Sequence, residues 1–185
     1  VYGAYWTLKY FGHDKVSIVD GGLEQWKAAG RATTGDASAI PASTYKAAAS
    51  NDSLRADADH ILSKLNDKGT VLVDARMPDE FNGTNDMGMG LPRNGHIPGA
   101  VHLNFFPSNM NGDLTIRSAA DLKATYEAAG VTADKEVIAY CMGGIRAANT
   151  FFVLNSVLGY PNVKVYVGSI GEWANLDAAK YPLAK

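Results

Sequence analysis

The sequence predicts an α/β protein: a parallel sheet flanked by helices on both faces. Two observations carry that expectation. Short apolar runs rich in β-branched residues recur at Thr70-Val-Leu-Val-Asp74, Glu136-Val-Ile-Ala-Tyr140 and Val163-Lys-Val-Tyr-Val167. Segments of helical periodicity lie between them, and strands separated by helices pair in parallel with both faces covered. The 185 residues amount to one domain plus a remainder at roughly 150 residues per domain, enough to bury a core without metal or disulfide staples.

The elements follow in order. Tyr2, Tyr5, Trp6, Leu8, Tyr10 and Phe11 form an opening segment too apolar to stand alone in water. Residues 31–51 are small, polar and aperiodic, as expected of a linker. From Asp52 to Asn66 the residues Leu54, Ala58, Ile61, Leu62 and Leu65 share one face of an expected amphipathic helix. The strand Thr70–Asp74 comes next, and then the turn Gly95-His-Ile-Pro-Gly-Ala100 leads into a short strand at Val101–Leu103. Ser118 caps a helix through Ala129, with Asp121 at the capping-box position and Gly130 as its stop. The strand Glu136–Tyr140 runs directly into Cys141. A helix from about Ala147 to Leu158 and the strand Val163–Val167 complete the pattern.

One internal repeat is visible. Val16-Ser-Ile-Val-Asp-Gly-Gly-Leu-Glu-Gln-Trp26 aligns with Val163-Lys-Val-Tyr-Val-Gly-Ser-Ile-Gly-Glu-Trp173, 147 residues later, and Gly12 falls on Gly159 in the same register. Each copy reads as apolar helix, glycine stop, short strand, glycine turn and short Trp-bearing helix. Such an offset fits a duplicated domain rather than a solenoid. The division expected is thus 1–30 as the C-terminal remnant of an upstream domain, 31–51 as linker and 52–185 as the catalytic domain. The chain starts at Val1 without an initiator Met or a signal-like segment, as a processed product or fragment would.

Composition removes several function classes. A net charge of −2 gives no electrostatic reason to expect nucleic acid or an anionic membrane as partner. No apolar run reaches the length of a membrane span, about 18 residues. A single cysteine excludes a disulfide framework and a cysteine-rich zinc cage. His96 and His102 lack the partners that would complete a zinc site. No metal and no organic cofactor is implied. The compartment stays open between cytoplasm and periplasm.

The informative segment is Tyr140-Cys-Met-Gly-Gly-Ile-Arg-Ala147. A buried strand ends, Cys141 opens the turn, two glycines follow and a helix begins. Ligands of open parallel sheets bind at the carboxyl ends of the strands. The glycines let backbone N–H groups turn inward as an anion nest, and the next helix aims its positive end at the same point. That environment favours a thiolate, and it favours equally the terminal sulfur of a cysteine persulfide. A lone cysteine out of context reads as a small buried hydrophobe; the strand, glycine pair and Arg146 around this one point to function.

Val73-Asp-Ala-Arg76, Glu80-Phe81, Gly95-His-Ile-Pro-Gly-Ala100, Cys141-x4-Arg146 and Gly168-Ser-Ile-Gly-Glu-Trp173 together resemble the rhodanese sulfurtransferase domain over about residues 53–177. Residues 1–30 resemble the end of a preceding rhodanese domain, as in the tandem thiosulfate and mercaptopyruvate sulfurtransferases. The resemblance implies ping-pong transfer from a small sulfur donor to cyanide or a thiol. Cys141 is the implied nucleophile and persulfide carrier, with Met142, Gly143, Gly144, Ile145 and Arg146 as the binding loop. Asp74, Arg76, Arg93 and His96 are candidates for substrate contact or loop support. The opening segment is expected to pack against a missing upstream half or a neighbouring chain.

Within the family pattern this chain departs in ways that bear on the donor. Met142 and Gly143 are neutral where thiosulfate enzymes often carry basic residues. Ungapped counting places Glu80 and Met89 where mercaptopyruvate enzymes carry arginines, so a carboxylate clamp is missing unless Arg93 replaces it. Thiosulfate is therefore the expected donor, with mercaptopyruvate as the alternative and a partner protein's persulfide as a third source. Phosphatases of this fold use a loop one residue longer, Cys-x5-Arg, which argues against phosphate or arsenate chemistry here. A non-catalytic interaction module would require an unreactive Cys141.

Overall fold

A computed structural model describes residues 1–185. Five strands form one parallel sheet in the order β1-β5-β4-β2-β3. They are β1 (Arg55–Ala56), β2 (Thr70–Asp74), β3 (Val101–His102), β4 (Glu136–Tyr140) and β5 (Val163–Tyr166). β4 is central, with Ala139 level with Val73 on one side and Val165 on the other. Side chains alternate along it. Val137, Ala139 and Cys141 enter one core, and Ile138 and Tyr140 enter the other, as a strand covered on both faces requires.

The helices follow the sequence closely where caps and strong periodicity coincide. α1 spans Tyr2–Tyr10, α2 Gly22–Ala28, α3 Ala58–Lys64 and α4 Pro78–Phe81. α5 spans Phe105–Asn109, α6 Ala119–Ala128, α7 Ile145–Phe151 and α8 Ser169–Trp173. Ser118 caps α6 by accepting from the Asp121 amide at 3.1 Å. α1, α6, α7 and the π-helical turns Phe152–Val157 supply buried residues to the first core, with Phe105 of α5 packed against it, whereas α3 and α8 serve the second.

Three expectations need correction. The helix expected over Asp52–Asn66 is broken into a 3-10 turn (Asp52–Leu54), β1 and α3. Arg55 and Ala56 pair with Val165 and Tyr166 at the sheet edge, and Asp57 caps α3 by accepting from the His60 amide at 2.8 Å; the ladder and the cap together overrule the periodicity. α7 starts at Ile145, two residues before the expected Ala147, because the glycines end the turn early. Its last turns widen to π geometry, with Leu158 N–H donating to Val153, and Tyr160 N–H closes the end on the Leu154 carbonyl. Third, Val16–Val19 forms no strand, since no sheet edge is offered to it.

The opening segment finds cover in its own chain. Tyr5 and Trp6 are buried in the first core. The rings of Tyr2 and Tyr5 lie 5.3 and 5.1 Å from that of Phe152, and Tyr5 Oη pairs with Ser156 Oγ at 2.8 Å. Residues 31–51 run exposed and without regular structure. No helix is long and apolar enough to cross a membrane.

Candidate active site

Cys141 follows the last residue of the central strand, so the sheet itself delivers its side chain to the carboxyl edge. The loop after it is shaped by the turn between β5 and α8. Ser169 Oγ accepts from the amides of Cys141 and Gly144, both at 3.1 Å, and donates to the Tyr166 carbonyl at 2.7 Å. The Ile170 and Gly171 amides donate to the carbonyls of Cys141 and Met142 at 3.1 and 2.9 Å. Gly144 has φ +84° and packs so closely on Val167 that an added Cβ would sit 3.2 Å from its Cα. A Cβ at Gly171 would lie 2.8 Å from the Met142 carbonyl oxygen. Ser169 itself has φ +54°, a conformation that costs an L-residue energy and is held by its three hydrogen bonds.

With these groups anchored, the remaining amides of the loop are left over. No carbonyl accepts from the N–H groups of Met142, Gly143, Ile145, Arg146 or Ala147. They belong to the turn and to the first turn of α7, where helical geometry supplies no acceptor. Such a cluster of donors suits an anion. Cys141, which precedes these amides, has only 1% of its surface exposed, while Gly143 and Ile145 face solvent.

Arg146 closes the loop and is engaged by Glu80 of α4. Glu80 is fully buried; its Oε2 accepts from Arg146 Nη1 at 2.5 Å and from the Met77 amide at 3.0 Å, and its Oε1 accepts from Arg146 Nη2 at 2.7 Å. Burial would raise the Glu80 pKa, but the hydrogen bonds from Arg146 and Met77 outweigh it and hold the carboxyl below its ordinary range. The Arg146 pKa is raised, chiefly by the hydrogen bond to Glu80, with Cys141 contributing as a nearby group.

The supporting candidates occupy distinct places. Asp74 and Arg76 form a buried pair, with Arg76 Nη2 donating to Asp74 Oδ2 at 2.6 Å and to the Gly95 carbonyl at 2.8 Å. Burial would lower the Arg76 pKa, but Asp74 more than offsets it and the net shift is upward. Arg76 thus ties β2 to the GHIPGA turn as a buried structural cation. His96 stacks on Phe81 at 3.8 Å and its Nδ1 bonds the Phe81 carbonyl at 3.0 Å, not the backbone of its own turn; the turn's Ile97 amide donates instead to Tyr140 Oη.

Arg93 is corrected most sharply. Its guanidinium donates to the carbonyls of Trp173, Ala174, Leu176 and Tyr181 at 2.7 to 3.1 Å. It caps the open end of α8 and fastens the C-terminal segment, so it does not replace a carboxylate clamp. Sequence reasoning missed the parts played by Glu80 and Ser169. Glu80 enters the sequence pattern only through the Glu80-Phe81 motif and as a position lacking arginine, and Ser169 only within Gly168–Trp173; a Cys-x4-Arg loop with one uncompensated cation is the signal that a carboxylate partner should exist.

A family model described as rhodanese-like domain matches residues 57–176. A Mycobacterium bovis protein provisionally named thiosulfate sulfurtransferase 1 is 40% identical over 97% of this chain, and the chain covers 66% of it. Sulfur carrier protein TtuD of Thermus thermophilus is 37% identical over 98% of this chain, again with 66% of its own length covered. The chain therefore spans just under two thirds of the relatives it matches. Among solved structures, wild-type EanB superposes on the whole chain with a TM-score of 0.88 at 24% identity, over 44% of its own length, and a persulfide form of EanB with ergothioneine superposes equally well. These two show the shared fold.

Proposed function

We propose that this chain, which belongs to the rhodanese-like domain family, transfers sulfane sulfur through a persulfide on Cys141. The observation that carries the reading is the set of five amides without a carbonyl acceptor in the six residues that follow Cys141. In the first half-reaction the Cys141 thiolate attacks the outer sulfur of thiosulfate. The S–S bond of the donor breaks and sulfite leaves with its electron pair. The new terminal sulfur carries the negative charge, and the loop amides together with the start of α7 stabilise it. In the second half-reaction cyanide or a thiolate attacks that sulfur, and the Cys141 thiolate is returned. Cys141 is buried, and the exposed residues nearest to it along the loop, Gly143 and Ile145, are where each reactant would approach. On the same reading residues 1–30 are the end of an upstream rhodanese-like domain.

Intact mass before and after thiosulfate tests the proposal. A gain of one sulfur, lost on adding cyanide with release of thiocyanate, is the expected result. Cys141→Ser should abolish both events and leave the far-ultraviolet circular dichroism unchanged. Thiocyanate production retained by Cys141→Ser would refute the assignment. Failure of native Cys141 to react with iodoacetamide near neutral pH would favour an interaction module.

A further inference from the structure

Beside Cys141, the arginine fork that would ordinarily recognise a carboxylate already holds one. Both Glu80 oxygens accept from the terminal nitrogens of Arg146, in the bidentate arrangement that makes arginine selective for planar anions. Glu80 is fully buried and is steadied by the Met77 amide, so the occupant is built into α4 and does not swing away into solvent. The other candidate cations are committed as well: Arg76 to Asp74 and Gly95, and Arg93 to four carbonyls. A reactant reaching Cys141 therefore finds the terminal fork of Arg146 already filled by Glu80 and the loop amides as the donors without a carbonyl acceptor.

We propose that Glu80 is a specificity-determining positioning residue, holding Arg146 beside Cys141 and excluding sulfur donors that anchor through a carboxylate. The inference rests on the sulfur-transfer reading and deepens it. A donor such as thiosulfate carries its charge on the sulfur-bearing group and is served by the amides alone. A 2-oxo acid thiol carries its charge at the far end and needs the fork that Glu80 fills.

The test uses the 185-residue chain as native protein, Glu80→Gln and Glu80→Asp, with thiosulfate and 3-mercaptopyruvate as donors. With the second donor the Cys141 thiolate attacks the thiol sulfur, the C–S bond breaks, and pyruvate leaves as its enolate and takes up a proton. In Glu80→Gln the KM for 3-mercaptopyruvate should fall relative to that for thiosulfate by at least about tenfold, the worth of one charge-assisted hydrogen bond. The kcat ratio should move less, pyruvate should become a tighter competitive inhibitor, and Glu80→Asp should return the preference toward native. An unchanged donor ratio and unchanged pyruvate inhibition in Glu80→Gln would overturn the proposal. Should that variant fail to fold, the native protein still decides: strong competitive inhibition by pyruvate overturns the proposal, and insensitivity supports it. A native chain that gains sulfur from neither donor overturns the transfer reading itself, and Glu80's role with it; a chain that loads normally but keeps its preference in Glu80→Gln overturns only the role of Glu80.

Discussion

Two stretches of this chain share a sequence pattern and meet opposite fates. In Val163–Trp173 the apolar run becomes β5, and Ile170 and Trp173 are fully buried. In Val16–Trp26 the corresponding run stays irregular, Leu23 is 57% exposed and Trp26 is 38% exposed. The backbone nonetheless repeats itself at two points. Gly12 and Gly159 have φ of +73° and +72°, and Gly22 and Ser169 have +63° and +54°. Turn geometry is a local property and survives in both copies, whereas strand formation depends on a neighbouring ladder and burial on a core to enter. The second copy has β1 and β4 on either side of it; the first has neither.

The largest effect expected to sharpen this contrast is on stability. Trp173→Ala removes a buried indole whose Nε1 donates to the Pro182 carbonyl at 2.8 Å, and should cost about 3–5 kcal/mol. Trp26→Ala, its counterpart, should stay within about 1 kcal/mol, as for other surface changes. Urea unfolding of the two variants measures both, and equal losses would break the comparison.

A smaller effect separates the two turn residues. Ser169→Ala leaves the Cys141 and Gly144 amides without their acceptor, for a loss of about 1–3 kcal/mol. It should also slow sulfur loading of Cys141, because the loop loses its anchor. Gly22→Ser, which places the second copy's residue in the first, meets open space and should cost only the backbone strain of about 1–2 kcal/mol, with loading unaffected. Loading rates followed by mass spectrometry alongside unfolding curves distinguish an anchoring role from a purely structural one.

The smallest effect is a pH dependence confined to the reactive side of the sheet. Glu80 has a folded-state pKa below its ordinary value, so between the two values the unfolded chain binds more protons than the native one. The stability it contributes is fully present above the ordinary glutamate range and is lost as pH falls through the depressed folded value. Glu80→Gln should flatten that part of the stability profile. An acid limb as steep in the variant as in the native protein would assign the effect to other carboxylates.

Much of this architecture is legible in the chain because local and tertiary preferences agree along it. β2, β4 and β5 lie where short apolar runs place them, and α6 begins at its serine cap. Cys141, the two glycines and Arg146 mark a strand-to-helix loop in the sequence itself. The failures lie where a distant partner decides. A ladder bond to β5 overrules helical periodicity at Arg55 and Ala56. Arg93 is bound by carbonyls from about 80 residues further along the chain, and the Glu80–Arg146 pair spans 66 positions. No pattern within a short window encodes such pairings; a charged residue in an otherwise neutral loop signals only that a partner is needed, not which one.

The order of the sheet has one more implication. Cys141 is carried beyond β4, its tether Ser169 beyond β5, and the carboxylate that occupies Arg146 beyond β2. On the proposed sulfur-transfer reading, reactivity, rigidity and selectivity fall to three adjacent connections, each of which can be altered by a single codon while the other two stand. Descendants of such a scaffold can explore new donors by changing the residue at position 80, without first losing the chemistry that makes any donor worth having.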